Sequence, residues 1–149
     1  MDTILIPPSV FDSESESFFP DPQDYTYWEA RESRIFYIDW ELDEIYNAVE
    51  LSKIIIQMNV KEKGIPKKNL KPIYLFIHSY GGDLDQCYAL VDIICSSRIP
   101  IVTVAMGVAM SAGFMIFLAG HKRYAFKHSN LMIHKGQASI SGTPDQIEQ

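Results

Sequence analysis

Ser111 is the hydroxyl-bearing residue whose neighbours point to chemistry. It follows the apolar run "MGVAM" and precedes two of the smallest residues, Ala112 and Gly113. A serine where a strand gives way to a helix is by default an N-cap residue. The free N–H groups of a helix's first turn also point toward incoming negative charge, which suits a nucleophile that attacks a carbonyl. The G-x-S-x-G elbow of hydrolases is met only in part, because Ala109 occupies the position of the first glycine, and both interpretations stay open.

The pair Gly81-Gly82 directly follows the apolar segment "IYLFIHSY". A tight turn that needs positive φ is the simple explanation. Backbone N–H groups that no side chain shields also bind an oxyanion or an extended peptide. Neither G-x-G-x-x-G nor G-x-x-x-x-G-K is present, so the sequence does not predict a nucleotide phosphate site, and it predicts no cofactor.

Four histidines are candidates for a general base. His121 and His128 lie in the charged stretch "GHKRYAFKHSN" and are expected at the surface. His78 lies in an apolar strand before the glycine pair, where a structural hydrogen bond is the expected role. His134 ends the apolar "NLMIH", a position that projects from a strand end into a cleft. For His134 taken singly, a satisfied core histidine remains the favoured interpretation.

Composition places the chain among globular proteins and excludes several functions. Its 149 residues are 47% hydrophobic and 21% charged, with a net charge of −6. An acidic chain without a basic face argues against nucleic-acid binding. No apolar run reaches the roughly 20 residues that span a bilayer, and the start lacks a basic segment, so neither a membrane span nor a signal peptide is predicted.

Cysteine usage bears on the compartment. Cys87 and Cys95 lie eight residues apart without a C-x-x-C motif. They are expected to be small buried hydrophobic residues rather than a disulfide or a metal site. The sequence therefore predicts no metal centre, and a reducing, cytoplasmic location.

The organisation along the chain predicts an arm and one domain. Residues 1–30 carry seven acidic side chains and no Lys or Arg, and "SESESFFPDPQD" shows no period, so an extended acidic arm is expected. Residues 31–149 are predicted to form an α/β domain. The basic run "VKEKGIPKKNLK" is typical of a solvated connection. At the end, Thr143 and Pro144 give a helix start signal, and something is expected to follow it.

Strands and helices alternate through the predicted domain. The expected strands are "RIFYID", "PIYLFIHS", "IPIVTVAM", "RYAFK" and "NLMIH", and the expected helices are "ELDEIYNAVELSKIIIQMN", "DLDQCYALVDIICSS" and "SAGFMIFLA". Strand–helix–strand alternation with continuous apolar strands indicates a parallel sheet. The inward stripes are predicted from helical spacing to be Leu42, Ile45, Ala48, Val49, Ile55 and Ile56 in the first helix and Leu84, Tyr88, Val91 and Cys95 in the second.

Helix boundaries carry their own signals. Asp83 and Gln86 have capping-box spacing at the start of the second helix. Gly120 is predicted to end the third helix.

The serine, the glycine pair and His134 all fall at predicted strand ends, where open α/β sheets keep their binding crevices. A hydroxyl, an imidazole and two aimed N–H groups would together suit acyl transfer.

Three segments, in this order and spacing, resemble the proteolytic subunit of the Clp protease. They are "IYLFIHSYGGDLDQCYALVDII", "TVAMGVAMSAGFMIFLAG" and "KRYAFKHSNLMIH", and the similarity runs from about Arg34 to Gln149. The resemblance implies a Clp/crotonase-like spiral of β-β-α units with a parallel sheet. It implies Ser111 as nucleophile and His134 as general base. The amides of Gly82 and Ala112 would form the oxyanion hole, and Gly81 and Gly113 would belong to the substrate groove.

The resemblance also implies partners. It suggests a homo-oligomer, as a heptameric ring or stacked rings, that degrades polypeptides with an AAA+ unfoldase driven by ATP.

The chain departs from the family pattern in places, and Tyr80 stands where the family usually has proline. The triad aspartate is expected beyond Gln149, and the family's long handle helix would begin at about "TPDQIEQ". Asp145, in that helix start, is not assigned to the triad.

The leading functional hypothesis is a serine endopeptidase that works through an acyl-enzyme. Without an orienting carboxylate the tautomer of His134 is not fixed, so residues 1–149 alone are expected to cleave peptides poorly or not at all. A non-catalytic or truncated Clp-like ring subunit is the main alternative. A crotonase-type acyl-CoA enzyme is a further one, disfavoured because no Asp or Glu lies around Gly107 or Gly113. The last alternative is a catalytic Ser–Lys pair, in which Lys135 would replace His134 as the base.

Overall fold

The computed structural model describes residues 29–39, 41–42 and 45–135, with only the backbone described for residues 45–47. The chain divides into two compact units, residues 1–35 and residues 36–149. In the first unit, residues 29–33 are helical. The arm predicted for residues 1–30 lies outside the described residues up to residue 28, as does the helix start predicted at Thr143. The predicted division into an arm and a domain stays a prediction.

Strands and helices alternate as the sequence predicts. In chain order they are β1 (Ile35–Ile38), α1 (Ile45–Lys61), a 3₁₀ turn (Lys67–Asn69), β2 (Ile73–Ser79), α2 (Leu84–Ser96), β3 (Ile101–Met110), α3 (Ala112–Ala119), β4 (Lys122–Ala125) and β5 (Asn130–Met132). All five expected strands and all three expected helices are present among the described residues. The basic connection after α1 contains the 3₁₀ turn and is exposed up to Leu70.

The five strands form one sheet in the order β1-β2-β3-β4, with β5 also paired to β3. β3 runs parallel to β2, β4 and β5, which confirms the predicted parallel sheet. The first half of β3 pairs with β4 and its last three residues pair with β5. Past the ends of β1 and β2, the Leu42 N–H donates to the Gly81 carbonyl at 2.8 Å. The carboxyl ends of β2, β3 and β5 therefore meet at one edge of the sheet.

The buried face of α1 differs from the prediction, which included two exposed residues and missed three buried ones, Leu51, Ile54 and Met58. Val49 and Ile56 are 38% and 46% exposed. The stripe that faces the core is Ala48, Leu51, Ile54, Ile55 and Met58. Val49 and Ile56 each lie one residue, about 100°, beyond that stripe, so the predicted face was rotated toward them. The side chain of Ile45 is outside the described residues.

In α2 the predicted stripe is wrong. Leu84 and Tyr88 are 41% and 49% exposed, and Cys95 is exposed as well, whereas Val91 is partly buried. The buried residues are Cys87, Leu90 and Ile94. Both stripes of this helix are apolar, so periodicity alone does not decide which one faces the sheet. The predicted cap is confirmed, because the Asp83 carboxylate accepts a hydrogen bond from the Gln86 N–H at 2.9 Å.

The core lies between the sheet and its helices. In β2, Ile73, Leu75, Ile77 and Ser79 face it, while the alternate side chains point away, so this strand is buried on one face only. Residues 101–105 of β3 are all buried. Within the part of the chain that the structure describes, no helix combines the length and the apolar character needed to cross a membrane.

Candidate active site

Ser111 lies at the junction of β3 and α3 in an unusual backbone conformation. Its φ is 50° and its ψ is −123°, close to the first central residue of a type II′ turn, a position that favours glycine. It occupies the N-cap position, yet its side chain makes no capping hydrogen bond. The N-cap interpretation is therefore correct for the position and wrong for the hydroxyl, which is left available for another partner.

That partner is His134. Its Nε2 lies 2.9 Å from Ser111 Oγ, within the range that proton transfer to a general base requires. When the hydroxyl donates to Nε2, the proton of the neutral ring resides on Nδ1. His134 follows β5, whose Met132 carbonyl accepts the Ser111 N–H at 2.8 Å. The parallel pairing of β3 and β5 thus carries both residues to the same strand ends.

The glycine pair reaches the same place from β2. Gly81 and Gly82 have φ values of 114° and 135°, which side-chain-bearing residues rarely adopt. A Cβ atom added to Gly81 would lie 2.8 Å from the Ser111 Cβ and 3.0 Å from the Ala112 nitrogen. Gly81 needs glycine for its conformation and for this close approach. Both predicted oxyanion donors, the amides of Gly82 and Ala112, therefore belong to segments in contact with each other.

The first turn of α3 packs tightly on the end of β2. Ala112 is the first helical residue, and the N–H groups of a first turn have no partner within their own helix. A Cβ atom on Gly113 would lie 3.1 Å from the Ser79 carbonyl oxygen, so this glycine is buried against β2. The predicted place of Gly113 in the substrate groove stays a prediction.

A depression of about 190 Å³ opens beside the serine and the histidine. Its lining consists of Leu84, Tyr88, Ser111, Met115, Ile133 and His134. Sequence reasoning missed the four apolar members. The signal that could have found them is their position, since each lies within a few residues of Gly82, Ser111 or His134.

The other histidines make different contacts. His78 Nδ1 lies 2.7 Å from the Met106 carbonyl oxygen, and His121 Nδ1 accepts the Ile101 N–H at 3.1 Å. His128 is exposed, as predicted. Lys135 is exposed as well, and the hydrogen bond of Ser111 Oγ goes to His134.

Cys87 is buried directly behind the site. Its Sγ–H donates to the Ala112 carbonyl oxygen at 3.3 Å. Burial raises the pKa of this thiol to about 11, so it is protonated at neutral pH and unsuited to act as a nucleophile. Both cysteines are free, and Cys95 is exposed rather than buried as predicted. Among the described residues no three His, Cys, Asp or Glu side chains are grouped as a metal site would need.

Comparison with known proteins agrees with the resemblance. The family model of the Clp protease matches residues 29–149. The chain is 32% identical over 124 residues to ATP-dependent Clp protease proteolytic subunit 2 of Treponema pallidum, covering 80% of this chain and 62% of that protein. It is 31% identical over 117 residues to the chloroplastic proteolytic subunit 4 of Arabidopsis thaliana, covering 77% and 38%.

A third relative is the ATP-dependent Clp protease proteolytic subunit of Lobularia maritima. The two sequences are 34% identical over 110 residues, which cover 72% of this chain and 52% of the relative. The chain thus spans between about two fifths and three fifths of these relatives. With the family model matched over most of its length, the chain belongs to the Clp protease family.

Proposed function

We propose that the protein is a serine endopeptidase that cleaves peptide bonds through an acyl-enzyme on Ser111. The observation that carries the proposal is the distance of 2.9 Å between His134 Nε2 and Ser111 Oγ. A serine hydroxyl is a weak nucleophile until a neighbouring base takes its proton. Membership of the Clp protease family supports a peptidase, and this pair supplies the serine-type chemistry.

In the proposed reaction, Ser111 Oγ attacks the carbonyl carbon while its proton passes to His134 Nε2. The carbonyl oxygen becomes negative in the tetrahedral intermediate. Collapse of that intermediate breaks the C–N bond, and the imidazolium returns the proton to the leaving amine. Water then attacks the ester with the same base, which releases the acid and restores the hydroxyl.

The negative oxygen requires two donors that are already in place. We assign this role to the N–H groups of Gly82 and Ala112. The contact of Gly81 with Ser111 and Ala112 supports the assignment, because it brings the end of β2 against the start of α3. Loss of one such donor typically lowers kcat by 10²- to 10³-fold.

The substrate class follows from the depression beside the serine. Leu84, Tyr88, Met115 and Ile133 give it an apolar lining. A leucine or methionine side chain of the substrate would lose its contact with water there, which is worth about 1.5–3 kcal/mol. We therefore expect cleavage after a medium-sized apolar residue of an extended polypeptide.

His134 Nδ1 needs an acceptor that fixes the tautomer. The resemblance assigns that role to an aspartate beyond Gln149, and loss of such a group costs about 10⁴ in kcat. Residues 1–149 by themselves are therefore expected to cleave peptides poorly. The relatives are named ATP-dependent proteolytic subunits, which supports work with an ATP-driven unfoldase inside an oligomeric ring. The cytoplasmic location stays a prediction.

A fluorophosphonate probe tests the proposal on the native protein. We expect one covalent adduct, found by peptide mass spectrometry on Ser111, and lost in Ser111→Ala. His134→Gln should slow labelling strongly, whereas Ser96→Ala, on an exposed serine of α2, should not. An adduct that persists in Ser111→Ala contradicts the proposal. Absence of any adduct together with a co-purifying homologue favours a non-catalytic ring subunit, and retained CoA favours the acyl-CoA alternative.

A further inference from the structure

β3 is interrupted by a bulge in front of the candidate active site. Ile77 of β2 pairs with Ala105, but Ser79 pairs with Ala109. Two steps along β2 therefore correspond to four steps along β3, so β3 carries two extra residues between these pairs. Gly107 lies in this stretch with a φ of 86°.

The two extra residues determine where β3 ends. Each strand residue advances the chain by about 3.3 Å, so removing the bulge would shift the end of β3 by about 6.6 Å relative to β2. Ser111 would then lose its place beside Gly81. Bulges next to active sites commonly re-aim a side chain in this way.

Two side chains hydrogen-bond the backbone of the bulge, and the Ala105 carbonyl at its start also accepts the Phe126 N–H at 3.1 Å. His78 lies on the β2 side, with Nδ1 2.7 Å from the Met106 carbonyl oxygen. Ser129 lies on the β5 side, where its Oγ–H donates to the Ala105 carbonyl at 2.8 Å and its Oγ accepts the Gly107 N–H at 3.2 Å. The bulge is thus held from both flanks.

The contact of His78 with the bulge is specific in two respects. A carbonyl oxygen only accepts, so Nδ1 must carry the proton and donate. The ring also lies against Gly107, because a Cβ atom there would stand 2.8 Å from His78 Nδ1. The absence of a side chain at Gly107 therefore leaves room for the His78 ring, whose Nδ1–H can then reach the Met106 carbonyl.

We propose that His78 is a positioning residue for the active site, acting through the Met106–Gly107 bulge to set the distance between Ser111 and His134. Its role in hydrolysis rests on the proposed function, but its effect on that distance does not. His78 makes no hydrogen bond to Ser111 or His134, so its action is transmitted along β3.

The test compares two substitutions of His78 with one of His121, a second histidine that hydrogen-bonds the backbone of β3. Asparagine places an amide donor near the position of Nδ1, whereas leucine keeps bulk without a donor. The control is His121→Leu, because His121 also hydrogen-bonds β3 through Nδ1, but at Ile101, the opposite end of the strand. Ser129→Ala removes the hydrogen bonds on the other side of the bulge. It replaces His78→Leu as the test variant if His78→Leu does not fold.

Two readouts separate positioning from stability in the native protein. One is the ¹⁵N chemical shift of His134 Nε2, which reports its hydrogen bond to Ser111 without any catalysis. The other is the rate of fluorophosphonate labelling, measured where urea titration shows each variant to be folded. We expect His78→Leu to lose the bonded ¹⁵N shift and to label about 100-fold more slowly. His78→Asn should restore both, and His121→Leu should leave both near wild type.

Equal effects of His78→Leu and His121→Leu on the His134 shift would overturn the proposal, as would failure of His78→Asn to restore it. Suppose that the native protein never reacts with the fluorophosphonate, yet the hydrogen-bonded ¹⁵N shift of His134 is lost only in His78→Leu and Ser129→Ala. That result would contradict the proposed function and support the positioning role. The two failures are therefore distinguishable.

Discussion

Gly81 and Ser111 approach each other so closely that a Cβ atom on Gly81 would lie 2.8 Å from the Ser111 Cβ. Gly81 lies two residues after the end of β2, and Ser111 directly follows β3, the neighbouring parallel strand. The contact therefore joins the candidate oxyanion segment to the candidate nucleophile. Both residues also have positive φ, a conformation open to glycine but rare for a residue with a side chain such as Ser111.

Gly81→Ala should strongly lower the reactivity of Ser111, although the substitution adds only one methyl group. The new methyl group would meet Ser111, and alanine is strained at a φ of 114°. We expect fluorophosphonate labelling of Ser111 to fall by about 100-fold. Gly64→Ala is the control, because a Cβ atom there meets nothing within 4 Å. Equal labelling of the two variants would contradict the contact.

Met115→Glu should reduce cleavage of substrates with an apolar side chain in the depression. Met115 belongs to its lining, and a carboxylate there would be desolvated when the substrate binds. We expect kcat/KM for a leucine-containing peptide to fall at least about tenfold. Leu118→Glu, on an exposed residue of α3 outside the depression, is the control and should have little effect. Identical kinetics of Met115→Glu and wild type would show that substrate does not enter there.

Asp83→Ala should destabilise the fold through the start of α2. Its carboxylate accepts the Gln86 N–H, and loss of such a cap costs about 1 kcal/mol. Urea denaturation should show this decrease in the free energy of unfolding. Asp92→Ala, on an exposed residue within the same helix, should leave stability nearly unchanged. A loss in Asp92→Ala as large as that in Asp83→Ala would argue against capping.

Cys87 should make stability depend on pH in the alkaline range. Burial raises the pKa of its thiol from 9.0 to about 11 in the folded protein, so the unfolded chain ionises first. This contribution is fully present below pH 9 and is lost as the pH rises toward 11. The free energy of unfolding should fall by up to about 1.4 kcal/mol per pH unit across that window.

Urea titrations between pH 8 and pH 11 measure this slope. Cys87→Ala is expected to be less stable than wild type at pH 8 but to lack the added slope. Cys95→Ala, on the exposed cysteine, should retain it. If the slope is the same in Cys87→Ala and wild type, the dependence comes from other groups.

The alternation of strands and helices was predictable because it depends on local signals. Asp83 and Gly120 mark helix ends through their own chemistry, and the structure has both at those places. The meeting of Ser111, Gly81 and His134 was also foreseeable, since each follows a strand and parallel strands end at one edge. The hydrogen bond between Ser111 and His134 could not be predicted from the sequence, because it depends on the register of β3 against β5.

Two features could not be read from the pattern. The apolar stripes of α2 compete, and tertiary packing rather than periodicity chose Cys87 over Tyr88 for the core. The bulge in β3 lies inside the largely apolar run "IVTVAMGVAM", whose polar residue, Thr103, precedes the bulge and does not mark it. Gly107 within that strand was the available hint, since glycine in a strand often marks a bulge. His78 and Ser129 gain their roles only when three strands are assembled.

The positive φ of Ser111 lowers the stability of the fold at the position of the candidate nucleophile. A side-chain-bearing residue with a φ of 50° and ψ of −123° costs about 1–3 kcal/mol, which glycine at the same position would relieve. A Ser111→Gly protein should therefore melt at a higher temperature than the natural one while losing the hydroxyl proposed as the nucleophile. Under the proposed function, the reactivity of that hydroxyl is gained at the expense of conformational stability.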